Sequence, residues 1–305
     1  MIAMPDLTGR SVLVTGASSG VGLEIARALA AAGARVILPV RDRGRGERAI
    51  AAIREAAPDA ALTLRDLDLA RLDSVRALAT TLLADAVLLD LYVMNAGIIM
   101  LGDPVRHLSP DGFELHFATN FLGHFALTLG ILPLLGGARI VSQSSGIVGF
   151  RDIDWTDVQV ERRYGALKAY GSSKVALGLF AMELARTGID VQLSHPRIAP
   201  DTGIAGTVRQ RHTGGVMHRL ATRLGNTPAE AAEPALLAAT TVSPASTPTL
   251  FGPAGFGHVG GRAAPQKMFR HLLDPDGGRR IWAVGEALSK MSAQRGIGRA
   301  VGDEA

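Results

Sequence analysis

Tyr170 and Lys174 stand four residues apart in a stretch, 166–187, whose apolar spacing predicts a helix, so both side chains leave one face within mutual reach. A tyrosine titrating near its ordinary value of about 10 exchanges protons poorly at neutrality, and an adjacent ammonium would bring it closer to the working range. Tyr170 is thus a candidate general acid/base, with Lys174 tuning it. Spacing alone does not choose this pair, because Tyr164 and Lys168 repeat it six residues earlier. Two serines, Ser144 and Ser145, follow a strand expected at 138–142 and offer a hydroxyl for a substrate oxygen.

A second constellation lies near the start. Thr15, Gly16, Ala17, Ser18, Ser19, Gly20, Val21 and Gly22 fall between a β-branched run, 11–15, and helical apolar spacing over 21–32. Glycines at a strand-to-helix turn let backbone N–H groups approach a pyrophosphate, whose charge the helix N-terminus favours. The turn suits a dinucleotide. At the end of the second strand an acidic residue would accept hydrogen bonds from the ribose hydroxyls of NAD, whereas an arginine would pair with the extra phosphate of NADP. The chain carries Arg41 there, with Ser18, Arg43 and Arg45 nearby, so NADP(H) is expected. Asp42 is a complication, since it could neutralise Arg41.

The Gly16-x-x-x-Gly20-x-Gly22 spacing, led by Thr15, resembles the signature of the short-chain dehydrogenase/reductase family, and the resemblance recurs in order through about residues 2–200. Asp68 and Leu69 match the family's adenine-ring contact. Asn95, Ala96 and Gly97 match its Asn-Ala-Gly motif at the end of the fourth strand. The small residues around Tyr170 and Lys174, over 169–176, match its catalytic motif and select that pair, leaving Tyr164 to packing or the pocket wall. By the family's register Ser145, not Ser144, is catalytic. By resemblance Asn120 is the fourth active-site residue, orienting water and Lys174 in a proton relay. Tyr170, Lys174, Pro196 and Thr202 would also touch the cofactor. One departure is plain: Arg197 follows Pro196 where the family has glycine, and Asp201 takes the place of a threonine, with Thr202 one residue later.

The resemblance implies hydride transfer between nicotinamide and a carbonyl or alcohol, and a homo-oligomer, dimer or tetramer. Within the family, the run 111–125, the long interval from Ser145 to Tyr170 and the segment 252–261 are most similar to the branch of retinol dehydrogenases and protochlorophyllide reductases, which take NADP(H) and bulky apolar substrates. Ile98, Ile99, Met100, Ile147, Phe150, Trp155 and Met217 are candidates to line such a pocket, though each also suits a core. Two alternatives stay open on the same residues: an imine or alkene reductase, and a non-catalytic NADP-binding redox sensor, the latter suggested by the altered 197–202 segment.

The elements that must position these residues alternate. Strands are expected at 11–15, 35–40, 61–65, 87–94, 138–142, 190–194 and 249–251, and helices at 21–32, 46–57, 72–84, 111–132, 166–187 and 279–291. Repeated βα units predict an α/β, doubly wound (Rossmann) parallel sheet of about seven strands in a single domain over 1–305. Its cofactor half would be about 1–110 and its catalytic and substrate half about 111–305. The run 197–230, rich in Gly, Thr and Arg, is expected to be an irregular lid over the substrate.

Composition narrows the class further. The 305 residues are 47% hydrophobic, enough for a sizeable core, and 32 basic against 28 acidic residues leave a net charge of +4 with no extended basic block, so nucleic acid is not an expected partner. With no cysteine there is neither a disulfide framework nor a thiolate metal site. The eight histidines lack metal-ligand spacing, and His124 and His195 are expected to be structural. No run of apolar residues approaches a membrane span, so a cytoplasmic enzyme with a small-molecule substrate is expected.

Overall fold

The computed structural model describes residues 2–196, 227–242, 248–255 and 261–291. Arg197, Asp201, Thr202, Met217 and nearly all of the expected lid lie outside the described residues.

The first half is a run of βα units: β1 (Ser11–Val14), α1 (Gly20–Ala31), β2 (Arg35–Val40), α2 (Arg43–Ala56), β3 (Leu62–Asp66), α3 (Leu72–Asp85) and β4 (Leu91–Met94). The second half contains α4 (Leu115–Phe117), a π turn (Ala118–Leu122), α5 (Gly123–Gly130), β5 (Arg139–Gln143), α6 (Ala166–Arg186), β6 (Asp190–Ser194), α7 (Pro228–Thr240), β7 (Leu250–Pro253), β8 (Ala263–Gln266) and α8 (Pro275–Ser289). The strands form one sheet in the order β3-β2-β1-β4-β5-β6-β7-β8. The first seven run parallel, and β8 pairs antiparallel with β7, Leu250 opposite Gln266 and Pro253 opposite Ala263. Strand order reverses between β1 and β4, and such a switch point opens a crevice at the carboxyl ends of the strands. Both the glycine-rich turn after β1 and the Asn-Ala-Gly motif after β4 border it.

Each sheet face has its own core. On one, Phe117, Phe121, Phe125 and Phe180 are buried with the apolar sides of α3, α5, α6 and α8, and the rings of Phe125 and Phe180 lie 4.9 Å apart. On the other, α1 and α7 pack alanines and leucines over Val12, Val14, Val36 and Val141. Burying one such large side chain stabilises the fold by about 1.5–3 kcal/mol, so both faces hold the strand ends still.

Several expectations need correction. The helix expected at 111–132 begins only at Leu115, because Glu114 caps it by accepting the Phe117 N–H; Asp111 instead accepts the Leu72 N–H and so caps α3. A π turn interrupts this helix at Asn120, a distortion common where a side chain must be re-aimed. The fourth strand is shorter than 87–94, since Ala86 turns left-handed (φ 51°) to end α3 and Leu88 is left exposed. The end of the expected lid, from Pro228, is helical: Thr227 and Glu230 form a reciprocal capping box. The eighth strand is an addition to the seven expected.

Candidate active site

Thr15 follows β1 fully buried, and its hydroxyl organises the switch point. It accepts the backbone N–H groups of Asn95 and Ala96, each at 3.1 Å, and sits 3.2 Å from the Val93 carbonyl, to which it donates. The Asn95 amide donates back to the Thr15 carbonyl at 2.9 Å. Gly16 follows at φ +69°, and a Cβ there would meet the Ala96 Cα at 2.8 Å. Glycine is therefore required by both conformation and space. His124, buried in α5, supports the same motif from below: its Nε2 lies 3.0 Å from the Ala96 carbonyl, and burial pushes its pKa down to about 4, leaving the ring neutral.

A groove of about 410 Å³ runs along this edge, within the size range of small-molecule sites. Gly16, Ser18, Ser19, Gly20, Val21 and Gly22 line it together with Asp68, Leu69, Asn95, Ala96 and Gly97. Arg41 stands exposed at the far end. Asp42 does not neutralise it. Its carboxylate caps α2 by accepting the Arg45 N–H at 2.9 Å, a bond that holds it below the usual carboxylate range, and Arg45 lies beside it at 3.8 Å. Arg43 is likewise held by Asp66 at 2.7 Å, so among the described residues no carboxylate pairs with Arg41. Pro196 ends the described segment after β6, half-buried.

Beyond Gly97 the groove meets a polar cluster. A Cβ on Gly97 would lie 3.1 Å from Asn120 Oδ1 and 3.4 Å from Lys174 Nζ, so both side chains converge on its backbone. The Asn120 amide oxygen accepts the Ile98 N–H at 2.7 Å, and its nitrogen donates to the Ile98 carbonyl (3.0 Å) and to Ser173 Oγ (2.9 Å). Ser173 passes the chain on to the Tyr170 carbonyl at 2.7 Å. These bonds spend the Asn120 side chain on positioning, and none of them reaches Lys174. Lys174 is buried, donates to the Gln143 carbonyl at 2.9 Å, and is lowered by that burial to a pKa of about 8.

Ser145 and Tyr170 come together: the Ser145 hydroxyl lies close enough to the phenol to lower its pKa. Burial raises the Tyr170 pKa and this approach opposes the rise. The lowering expected from a neighbouring ammonium does not arise in the chain by itself, where the contribution opposing desolvation comes from Ser145. Ser144 points elsewhere, its hydroxyl buried without a partner among the described residues, whereas Ser145 is half-buried and faces Tyr170. Tyr164 lies before α6, and Lys168 turns to Asp154 at 3.8 Å, so the second Tyr-Lys spacing forms no comparable unit.

The expected apolar lining divides. Ile98, Ile99 and Met100 border the groove. Trp155 does not stand open, because the Arg280 guanidinium covers its ring at 4.2 Å; Ile147 packs on the core; Phe150 projects outward, 85% exposed. His195 pairs with Gln266 at 3.0 Å, at the sheet edge. Among the described residues no cluster of three or more potential metal ligands occurs, and no helix is long and apolar enough to cross a membrane. Sequence reasoning quoted Thr15 but missed its role as the hub, and it missed Ser173. The signal for Ser173 was present, since a serine three residues after Tyr170 reaches that residue's carbonyl across one helical turn.

Residues 10–212 match the family described as short chain dehydrogenase. The chain belongs to that family. Retinol dehydrogenase 14 from Homo sapiens is 34% identical to this short-chain dehydrogenase over 92% of its length and 86% of the relative's. Among solved structures, an uncharacterized protein from Mycobacterium paratuberculosis superposes with a TM-score of 0.74 at 33% identity, covering 95% of this chain and 96% of the other. A metagenomic short-chain oxidoreductase, solved in complex with NADP, has a TM-score of 0.55 at 27% identity, with 78% of this chain and 93% of that one covered. The enzyme class is therefore an oxidoreductase of the short-chain type.

Proposed function

We propose that this short-chain dehydrogenase uses NADP(H) to interconvert a carbonyl and an alcohol on a bulky, apolar small molecule, with Tyr170 as the general acid/base. The observation that carries this reading is the approach of the Ser145 hydroxyl to the half-buried Tyr170 phenol, with Lys174 one turn further along α6 and converging with Asn120 on Gly97. The residues present fit a dinucleotide. The first turn of α1 receives no side-chain cap from Ser19, Gly16 and Gly22 let that turn pack closely against Asn95 and Ala96, and Arg41 has no carboxylate partner among the described residues. Arg41 and Ser18 would hold the extra phosphate, Asp68 and Leu69 the adenine, and Asn95 to Gly97 the floor beneath the nicotinamide.

When bound, the nicotinamide supplies or accepts the hydride at the substrate carbon. Tyr170 gives its hydroxyl proton to the substrate oxygen in reduction and takes it back in oxidation. Ser145 binds the same oxygen and stabilises the charge that develops there. The raised pKa of Tyr170 keeps its proton in place at neutral pH, the state from which it acts as the acid in reduction. Lys174, one helical turn from Tyr170 and lowered to about 8 by burial, can exchange protons near neutrality. Asn120 holds Ile98 and, through Ser173, the start of the catalytic turn of α6.

Apolar Ile98, Ile99 and Met100 support an apolar substrate, as does the likeness to a retinol dehydrogenase. The family's habit of pairing long helices supports a homo-oligomer, and the lack of cysteine suits a reducing cytoplasm. Oxidation of NADPH and of NADH with a panel of lipophilic aldehydes and ketones tests the reading. NADPH-preferring turnover is expected. Saturable NADPH binding with no turnover across the panel contradicts the enzyme reading, and a preference for NADH contradicts the cofactor assignment.

A further inference from the structure

His116 precedes Asn120 by one helical turn and is completely buried, with Glu114 beside it only 1% exposed. Buried ionisable groups survive in a core only when their polar atoms find partners. One Glu114 oxygen accepts the Phe117 N–H at 2.7 Å, and the other lies 2.8 Å from His116 Nδ1. On the opposite side of the ring, His116 Nε2 accepts the backbone N–H of Met100 at 3.1 Å. A backbone N–H can only donate, so Nε2 presents its lone pair and Nδ1 carries the proton towards Glu114.

Met100 lies two residues beyond Ile98, whose N–H and carbonyl are both taken by Asn120. Residues 116 and 120 therefore clamp the two ends of a three-residue segment that walls the groove together with Leu115 and Thr119. The same imidazole meets the ring of Tyr170 edge-on, with centroids 6.3 Å apart and planes at 70°. One side chain thus touches both the groove wall and the proton-transferring phenol.

We propose that His116, oriented by Glu114, is a positioning residue of the reaction: by accepting the Met100 N–H it fixes the groove wall in register with the Tyr170 hydroxyl. This rests on the oxidoreductase reading above. The adenosine end of the groove is built from different turns, after β1, β2 and β3, so loosening Met100 disturbs turnover and leaves cofactor affinity alone.

Two substitutions separate the contacts. His116→Phe keeps an aromatic edge toward Tyr170 but cannot accept a hydrogen bond. His116→Gln loses the ring, while its Oε1 reaches the place of Nε2 and can accept the Met100 N–H. Both remove the donor to Glu114, so that loss cancels between them. The two variants and the unaltered chain are compared for NADPH-dependent carbonyl reduction, NADPH affinity, melting temperature and amide hydrogen exchange over residues 96–104. His116→Phe is expected to lower kcat about tenfold or more, since small misplacements near reacting atoms are costly, with NADPH affinity within about twofold and faster exchange in that segment. His116→Gln is expected to recover most of both kcat and protection. If His116→Gln is as impaired as His116→Phe, or is the worse of the two, the role is structural or belongs to the ring contact, and the proposal is overturned. Normal kcat or unchanged exchange in His116→Phe overturns it as well. An unaltered chain that binds NADPH yet reduces nothing sinks the oxidoreductase reading and this proposal together; an active one with an unaffected His116→Phe sinks this proposal alone.

Discussion

Thr15 and Asn95 hold each other twice across the switch point, through the Asn95 N–H on the Thr15 hydroxyl at 3.1 Å and the Asn95 amide on the Thr15 carbonyl at 2.9 Å. The glycine-rich turn and the Asn-Ala-Gly motif are therefore one mechanical unit. Thr15→Val keeps the shape and removes the hydroxyl, leaving the Ala96 N–H without its acceptor and the Asn95 N–H with the Val93 carbonyl alone. An unsatisfied buried donor costs about 1–3 kcal/mol, so the variant should melt several degrees lower. It should also bind NADPH more weakly. Thermal melting with and without NADPH checks both, and an unchanged melting temperature would show that the hydroxyl is not the hub.

Arg41 is available to a ligand because Asp42 is occupied in capping α2. Arg41→Ala should therefore weaken NADPH by about 10- to 100-fold through the loss of a charge-assisted phosphate contact, with NADH affected by less than about threefold. Affinities for both nucleotides, measured on both proteins, decide it. Equal losses for the two would move the phosphate site elsewhere.

His124 carries a pH signature. Burial holds its folded pKa near 4, below the ordinary value of 6.5 that the unfolded chain shows. Between those values the unfolded chain binds the extra proton, so stability is complete above pH 6.5 and is lost as pH falls towards 4. The loss attributable to this group is on the order of 2–3 kcal/mol. Denaturant unfolding of the unaltered chain and of His124→Gln at pH 7.5 and pH 4.5 should show a shallower decline in the variant. Parallel declines would assign the acid sensitivity to other groups.

The sheet was legible because its βα units repeat with clear apolar runs, and apart from 111–132 the expected strands and helices match those found or differ from them only at their ends. What escaped has physical reasons. β8 consists of Ala263, Ala264, Pro265 and Gln266, which have little β-branched character and lie at a sheet edge, where proline is tolerated. α7 begins at the end of a Gly- and Thr-rich run, and only its Thr227–Glu230 capping box announces it. Pairing Ser145 with Tyr170 required a register that motif likeness supplied, while choosing between Asp42 as neutraliser and Asp42 as cap required three-dimensional placement. The link from Glu114 through His116 to Met100 joins a helix end to a strand-end loop, and no local pattern encodes such a contact.

Tyr170→Phe removes one oxygen from a half-buried ring outside the groove lining, so NADPH oxidation with a lipophilic aldehyde, measured on this variant beside the unaltered chain, bears directly on the proposed chemistry. The account predicts that kcat falls by about 100- to 10,000-fold, the range of a lost general acid, while NADPH affinity stays within about twofold. A variant that turns over at the unaltered rate would contradict it.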